Sequence, residues 1–374
     1  MRFEDSSEKE MHCCRLCPRE CGADRTKQTG ICGVTDRILV ARAALHYWEE
    51  PCISGKNGSG AVFFTGCGLK CVYCQNGQIS GIRQSGSALP GREVSVEKLA
   101  SIFLHLQNEQ HANNINLVTA VQYVPQAAEA LRSAKSQGLN IPVVYNSSGY
   151  EKVSTLRMLE GLVDVWLPDF KYMDQDLARQ YSHAPDYPER AKEAIAEMVR
   201  QAENPGEEGQ RQTESPGAEG QRQAENPGAE GQAQAERSDS METDLQKTKG
   251  TEKASGHHPE ESGLRFYEKD GQTLMRRGVI VRHLLLPGHV KNAEAVVKYL
   301  HDTYGNRIYI SMMNQYTPME GLKEDPLLGR KVTKREYERL IDYAVGIGVE
   351  NGFIQEGGTA KESFIPSFDG EGVE

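Results

Sequence analysis

The last 300 residues of the chain contain no cysteine, although nine lie between Cys13 and Cys74. Thiols serving only as small core hydrophobes would be scattered, so this clustering points to ligation. Long apolar runs are also missing. None approaches the roughly 18 residues that cross a bilayer, and the opening MRFEDSSEKEMHCCRLC lacks the apolar stretch of a secretory signal. A cytoplasmic chain without a membrane partner is therefore expected, in which thiols stay reduced and serve metal or redox chemistry. There is no basic excess either. The 43 Lys and Arg face 53 Asp and Glu, a net charge of −10, which argues against general nucleic-acid binding.

Residues 200–262 lack a core. Their only large apolar side chains are Met241 and Leu245. An 11-residue unit occurs three times, as RQAENPGEEGQ, RQTESPGAEGQ and RQAENPGAEGQ, with Pro and Gly in each copy. Such a segment cannot offset its ordering entropy and is expected to be a disordered, low-complexity insertion. Loop closure adds only ~0.6 kcal/mol per doubling of length, so a fold tolerates it. With 14 acidic and 7 basic residues the segment carries −7 of the net −10, leaving −3 elsewhere. The folded part is nearly neutral, and its charge says little about a partner.

Four domains follow: a Cys-rich N-terminal extension (1–59), a first αβ part (60–199), the insertion (200–262), and a second αβ part with the tail (263–374). GAVFFTG (60–66), INLVT (115–119), IPVVYN (141–146) and VDVWLPDF (163–170) read as buried strands, short, β-branched and bounded by turn residues. Residues 96–109, 125–137 and 152–161 have helical spacing, as in Ala127, Ala130, Leu131 and Ala134. After the insertion, 279–288, 307–313 and 352–356 read as strands, and 290–303 and 333–346 as helices. Regular alternation implies an α/β fold with a parallel sheet. A partial barrel and a doubly wound sheet both satisfy it.

TGCGLKCVYCQN (65–76) follows the first of these strands and spaces Cys67, Cys71 and Cys74 as C-x3-C-x2-C. It sits where α/β sheets bind ligands, at the carboxyl end of a strand. Three thiolates on a short loop suit a 4Fe–4S cluster with one iron left open, since four-cysteine motifs satisfy every iron. Zinc with a fourth ligand from Cys52 or a histidine is the alternative.

This motif, with an aromatic before the last cysteine and Asn after it, resembles the signature of radical S-adenosylmethionine enzymes. CVYCQN is similar to the activating enzymes of glycyl-radical proteins such as pyruvate formate-lyase. The resemblance covers about 60–199 and 263–360 and implies a partial (β/α)6 barrel. It further implies S-adenosylmethionine chelated at the open iron, reductively cleaved to a 5′-deoxyadenosyl radical that abstracts hydrogen. Tyr73 matches the aromatic whose backbone and ring approach the adenine. LVTAVQYVPQ (117–126) stands where the family carries a Gly-Gly-Glu-like motif and lacks it, leaving Thr119 or Gln122 for the methionine amino group. Asn146, Ser147 and Ser148 of NSSG stand at a polar turn for ribose or carboxylate, or cap a helix. Asp169 and Lys171 of PDFKYMD (168–174) are similar to the family's Asp-x-Lys. His289, or else His283, matches a late histidine near the adenosyl group. Gln315 and Tyr316 face the mouth or form a turn.

The head has a second constellation. Cys14, Cys17, Cys21 and Cys32 form C-x2-C-P-R-x-C-x10-C-G, enough for a tetrahedral metal site, with Cys13 and Cys52 extra. Zinc and a second iron–sulfur cluster are both compatible. The segment resembles a subgroup of activating-enzyme homologues. Trp48 is placed over the cluster edge, with Glu49 and Glu50 at the mouth. The functions implied are activation of a glycyl-radical enzyme, with a flavodoxin or ferredoxin-type electron donor, or radical chemistry on a small molecule, RNA or another peptide. A metal- or redox-binding module is the non-enzymatic alternative.

Overall fold

The computed structural model describes residues 10–82, 89–204, 263–355 and 366–373. Its centre is one sheet of ten strands: β1 (Ile38–His46), β2 (Ser59–Phe64), β3 (Arg92–Val94), β4 (Ile115–Val118), β5 (Val143–Ser147), β6 (Val165–Pro168), β7 (Arg265–Lys269), β8 (Gln272–Leu284), β9 (Tyr309–Met313) and β10 (Gly352–Ile354). The order is β10-β9-β8-β6-β5-β4-β2-β1-β3, with β7 on β8. From β2 to β10 the path is parallel throughout. β1 joins β2 antiparallel, β3 joins β1 likewise, and β7 and β8 form a hairpin whose turn residues, Asp270 and Gly271, are both left-handed. The protein is thus α/β with a mostly parallel sheet.

Each parallel strand lies beside its predecessor in the chain, so the order never reverses. A doubly wound sheet reverses at its switch point, and that alternative is set aside. Both faces of the sheet are covered: all six residues of β2 are buried, as expected of a parallel strand under crossover helices. Helix Val96–Asn108 shows why. Ser95 accepts a hydrogen bond from the Lys98 amide, and Leu99, Ile102, Phe103 and Leu106 bury one face.

Three expectations change. The extension 1–59 is not separate from the sheet, because β1 within it pairs with β2 from Val40 to His46. The helix expected over 152–161 is a single turn, Val153–Leu156, followed by a 3-10 turn, Arg157–Leu159. The insertion begins later than 200. Helix Tyr187–Glu203 absorbs the start of the first repeat, burying Gln201 and Ala202 and pairing Arg200 with Glu160 and Glu197. Residues 205–262 lie outside those described. A Cβ on Gly263 would stand 3.0 Å from Glu203, so the chain leaves and rejoins the fold at one place, as a loop insertion must.

Candidate functional site

One face of the sheet is filled in layers. At the amino ends of the strands, helix Pro51–Ser54 inserts Cys52 and Ile53 against Val144, Val165, Leu167 and Ile280. Cys52 is therefore a core residue at the end opposite the cysteine loop, and burial pushes its thiol well above the ordinary value. It is no fourth ligand to that loop.

Above this plug lies a polar layer. Glu49 Oε1 accepts from Asn116 Nδ2 at 3.1 Å and Asn146 Nδ2 at 3.2 Å, and Glu49 Oε2 pairs with Arg282 Nη1 at 3.0 Å. Arg282 Nε donates to Asp169 Oδ1 at 3.1 Å, and Lys171 Nζ to Asp169 Oδ2 at 2.6 Å. One carboxylate thus reaches β4, β5 and β8 together.

The electrostatics follow from burial and pairing. Burial pushes the Asp169 carboxyl up, but Lys171 and Arg282 outweigh it and hold it below the usual range. Burial pulls Lys171 down, and Asp169 with Cys71 holds it above the ordinary amine value. Both groups are charged at neutral pH.

The cysteine loop leaves the carboxyl end of β2 just above this layer. Gly66 is left-handed (φ 95°), and a Cβ there would stand 2.9 Å from Val34, so glycine is needed at the turn. Cys71 is buried, whereas Cys67 and Cys74 are partly open. Burial pushes the Cys71 thiol up to about 12, with Cys74 and Cys67 adding and Lys171 opposing. The three thiols and the Lys171 ammonium therefore share one neighbourhood. Among the described residues, no three His, Cys, Asp or Glu side chains gather as a single metal ion requires. A cubane takes each thiolate at a different iron, so its sulfurs stand around it without meeting at a point. The donor set, three thiols beside a cation, fits that group.

Ser182 Oγ donates to Cys71 Sγ at 3.0 Å. Tyr73 is not open to a ligand through its ring, which is buried edge-on to Tyr172, Tyr181 and Tyr316. Thr119 has φ 60°, a rare conformation for a β-branched residue and one that concentrates at functional sites. Gln122 has its amide committed to the carbonyls of Thr65, Gly66 and Thr119, so it secures the base of the cysteine loop. Asn146 joins the Glu49–Arg282 network. Ser147 and Ser148 cap no helix: their hydroxyls accept from Gly149 and Tyr150 amides within the turn, and the next helix starts at Val153. A Cβ on Gly149 would stand 2.1 Å from the Asp169 carbonyl, which welds this turn to Asp169.

Other expected residues lie elsewhere. His283 is buried, and its Nδ1 lies 2.7 Å from the Phe170 carbonyl. Burial lowers its pKa to about 4, so it is a neutral core histidine. His289 starts helix Val290–Tyr304 and lies 3.0 Å from Tyr181 Oη. It lines a cleft of about 860 Å³ with Met173, Asp174, Asn292 and Glu336, which no loop cysteine reaches. Tyr316 is core, with its hydroxyl donating to the Leu328 carbonyl, and the Gln315 carbonyl accepts from Gln75. Trp48 does not cover the loop. It is exposed beyond His46, which pairs with Ser59 at the start of β2, the end away from Cys67. Glu49 turns into the interior, and Glu50 is buried rather than at the mouth.

The head cysteines come together. Cys14, Cys17, Cys21 and Cys32 line one small pocket with Arg25, Gly68 and Gln122, while Cys13 is exposed. Arg19, from the same C-P-R segment, donates to the carbonyls of Gly68 (2.9 Å), Leu69 (3.2 Å), Ser182 (2.8 Å) and His183. Sequence reasoning did not single out Arg282, Asn116, Ser182 or Arg25. Arg282 had a signal, as a lone charge within the apolar run VIVRHLLL.

No family profile matches the chain. An uncharacterised protein of the archaeon Methanocaldococcus jannaschii is 30% identical over 176 residues. The match covers 46% of this chain and 50% of that protein, so the chain spans about half the length of the curated relative it matches.

Proposed function

We propose that this protein is a radical S-adenosylmethionine enzyme built on a partial (β/α)6 barrel, with Cys67, Cys71 and Cys74 as ligands of a 4Fe–4S cluster. The observation that carries the reading is the C-x3-C-x2-C loop rising from the carboxyl end of β2 beside Asp169, Lys171 and Arg282. The monotonic strand order supports the barrel.

Bound cluster and cofactor would supply an electron and a homolytically cleavable sulfonium bond. The chain's own residues do the rest. Lys171, charged and beside Cys71, offsets the negative charge of thiolates and of a carboxylate brought to the open iron. Asp169, aligned by Lys171 and Arg282, presents acceptor oxygens for hydroxyls. Ser182 donates to the Cys71 sulfur, and Gln122 holds Thr65 and Gly66 so that the loop keeps its shape. The plug of Cys52 and Ile53 closes the interior to water from below.

Within this reading, the likeness of CVYCQN and DFKYMD to activating enzymes favours a glycyl-radical enzyme as substrate and a flavodoxin or ferredoxin-type donor. No helix among the described residues is long and apolar enough to cross a membrane, and reduced thiols in this number suit the cytoplasm. The test is anaerobic reconstitution with iron and sulfide, followed by dithionite-driven formation of 5′-deoxyadenosine. Cys71→Ala should abolish both cluster absorption and cleavage. A wild-type protein that binds only zinc and leaves S-adenosylmethionine intact would overturn the reading.

A further inference from the structure

Arg25 is fully buried, with a relative exposure of 0%. Its Nη1 donates to the Gln122 carbonyl at 2.6 Å, its Nη2 donates to the Thr35 carbonyl, and the guanidinium lies 5.6 Å from the centre of the Tyr123 ring. Its Nε has no partner. Among the described residues, no carboxylate pairs with it. A guanidinium cannot shed its proton, and a buried charge without a counter-charge is strongly unfavourable. Something anionic must complete this pocket.

Among the described residues, the only candidates that line it are sulfurs. Cys14 Sγ lies 3.8 Å from Arg25 Nη1, and Cys17, Cys21 and Cys32 share the pocket. Glycines keep it clear. A Cβ on Gly30 would stand 3.4 Å from both Cys21 Sγ and Cys32 Sγ, and one on Gly68 would stand 3.3 Å from Cys17 Sγ. Four neutral thiols would leave the guanidinium unpaired. Four thiolates need a metal between them, and a four-thiolate centre keeps a net negative charge.

We propose that Cys14, Cys17, Cys21 and Cys32 hold, as thiolates, one metal centre whose negative charge is matched by the buried Arg25. The ligand class is an iron–sulfur cluster, which takes its thiolates at different irons, since among the described residues no three such side chains gather as a single metal ion requires. Gly68 lies between Cys67 and Cys71, so the centre stands against the loop of the first site, with Gly68 as the shared wall. The inference is independent of what that loop binds.

The test uses the full chain carrying Cys67→Ala, Cys71→Ala and Cys74→Ala together, so that any metal kept belongs to the head. Purified anaerobically from cells supplied with zinc and iron, it should retain iron and sulfide with an all-sulfur first shell. Elemental and sulfide analysis reads this, and zinc without sulfide would overturn the cluster. Arg25→Gln should weaken retention against a chelator by roughly 10–100-fold, as loss of a partner around a ligand shell does, and Arg25→Lys should recover part of it. A metal-free head would overturn the proposal, as would metal that survives replacement of the four head cysteines. Retention unchanged in Arg25→Gln would overturn the counter-charge. S-adenosylmethionine cleavage by the wild type is a separate readout, so the two sites fail or stand independently.

Discussion

Ser182 Oγ donates to Cys71 Sγ at 3.0 Å and lies 2.8 Å from Tyr172 Oη, which is itself 2.6 Å from Tyr73 Oη. A chain of hydroxyls thus begins and ends within the cysteine loop. Ser182→Ala should cost about 1 kcal/mol of stability, the usual worth of one hydrogen bond. In the reconstituted protein it should also make the cluster potential more negative, because hydrogen bonds to cluster sulfur favour the reduced state. Potentiometric titration reads this. An unchanged potential would remove Ser182 from the electronic environment of Cys71.

Arg19 ties the head to that loop through four carbonyls, two in the loop (Gly68, Leu69) and two beside Cys71's partner (Ser182, His183). Arg19→Ala should lower stability by roughly 1.5–3 kcal/mol, the range for hydrogen bonds to a charged group. Arg19→Lys should not restore it, since an ammonium lacks the planar fork that spans several acceptors. Denaturant unfolding of the three proteins decides. Full rescue by Lys would mean that charge alone suffices.

Asp169 is the shared partner of Lys171 and Arg282. Asp169→Asn should destabilise by about 3–5 kcal/mol, as removing one member of a buried ion network does. Its folded pKa lies below the ordinary value. Its contribution is therefore present above the usual carboxylate range and is lost as pH falls through the depressed folded value. Acid unfolding of the wild type should steepen below about pH 4, and the variant should lack that component. Equal acid slopes would contradict the pairing.

Glu151 behaves in the opposite sense. Burial raises its pKa to about 8, and its neighbours are the Tyr145 and Ser147 hydroxyls, without a cation. Folding then favours the protonated acid, so stability is greatest below the unfolded pKa and declines as pH rises from about 4.3 toward that folded value. The decline is at most ~1.4 kcal/mol per pH unit. Glu151→Gln should match the wild type near pH 4 and exceed it at pH 8 in thermal unfolding. A variant less stable than the wild type at pH 8 would show that the carboxylate is ionised and paired.

Much of the fold was legible because buried parallel strands leave a plain mark. GAVFFTG, INLVT and VIVRHLLL are mostly apolar and bounded by turn residues, and each contains a strand that ends at Phe64, Val118 and Leu284 respectively. β1 escaped because its ILVARAALH sits inside a Cys-rich head, where ligand spacing drew the reading away from periodicity. Helix Tyr187–Glu203 escaped because its last turn is written in the vocabulary of the repeat that follows. Ser147 and Ser148 were weighed as helix caps, but the hydroxyls close the turn locally, and helix Val153–Leu156 begins five residues later without a side-chain cap.

By itself the sequence determined the αβ alternation and the cysteine loop at the carboxyl end of a strand. These depend on local propensity and short spacing, which any stretch carries within itself. Only the tertiary structure decided that Cys52 is a plug and not a ligand, and that Glu49 reaches inward to Arg282 while Trp48 points away. It also decided that Arg25 is buried beside four thiols, with no carboxylate among the described residues paired to it. Each of these depends on which elements pack against one another, and that is set by contacts between residues distant in the chain.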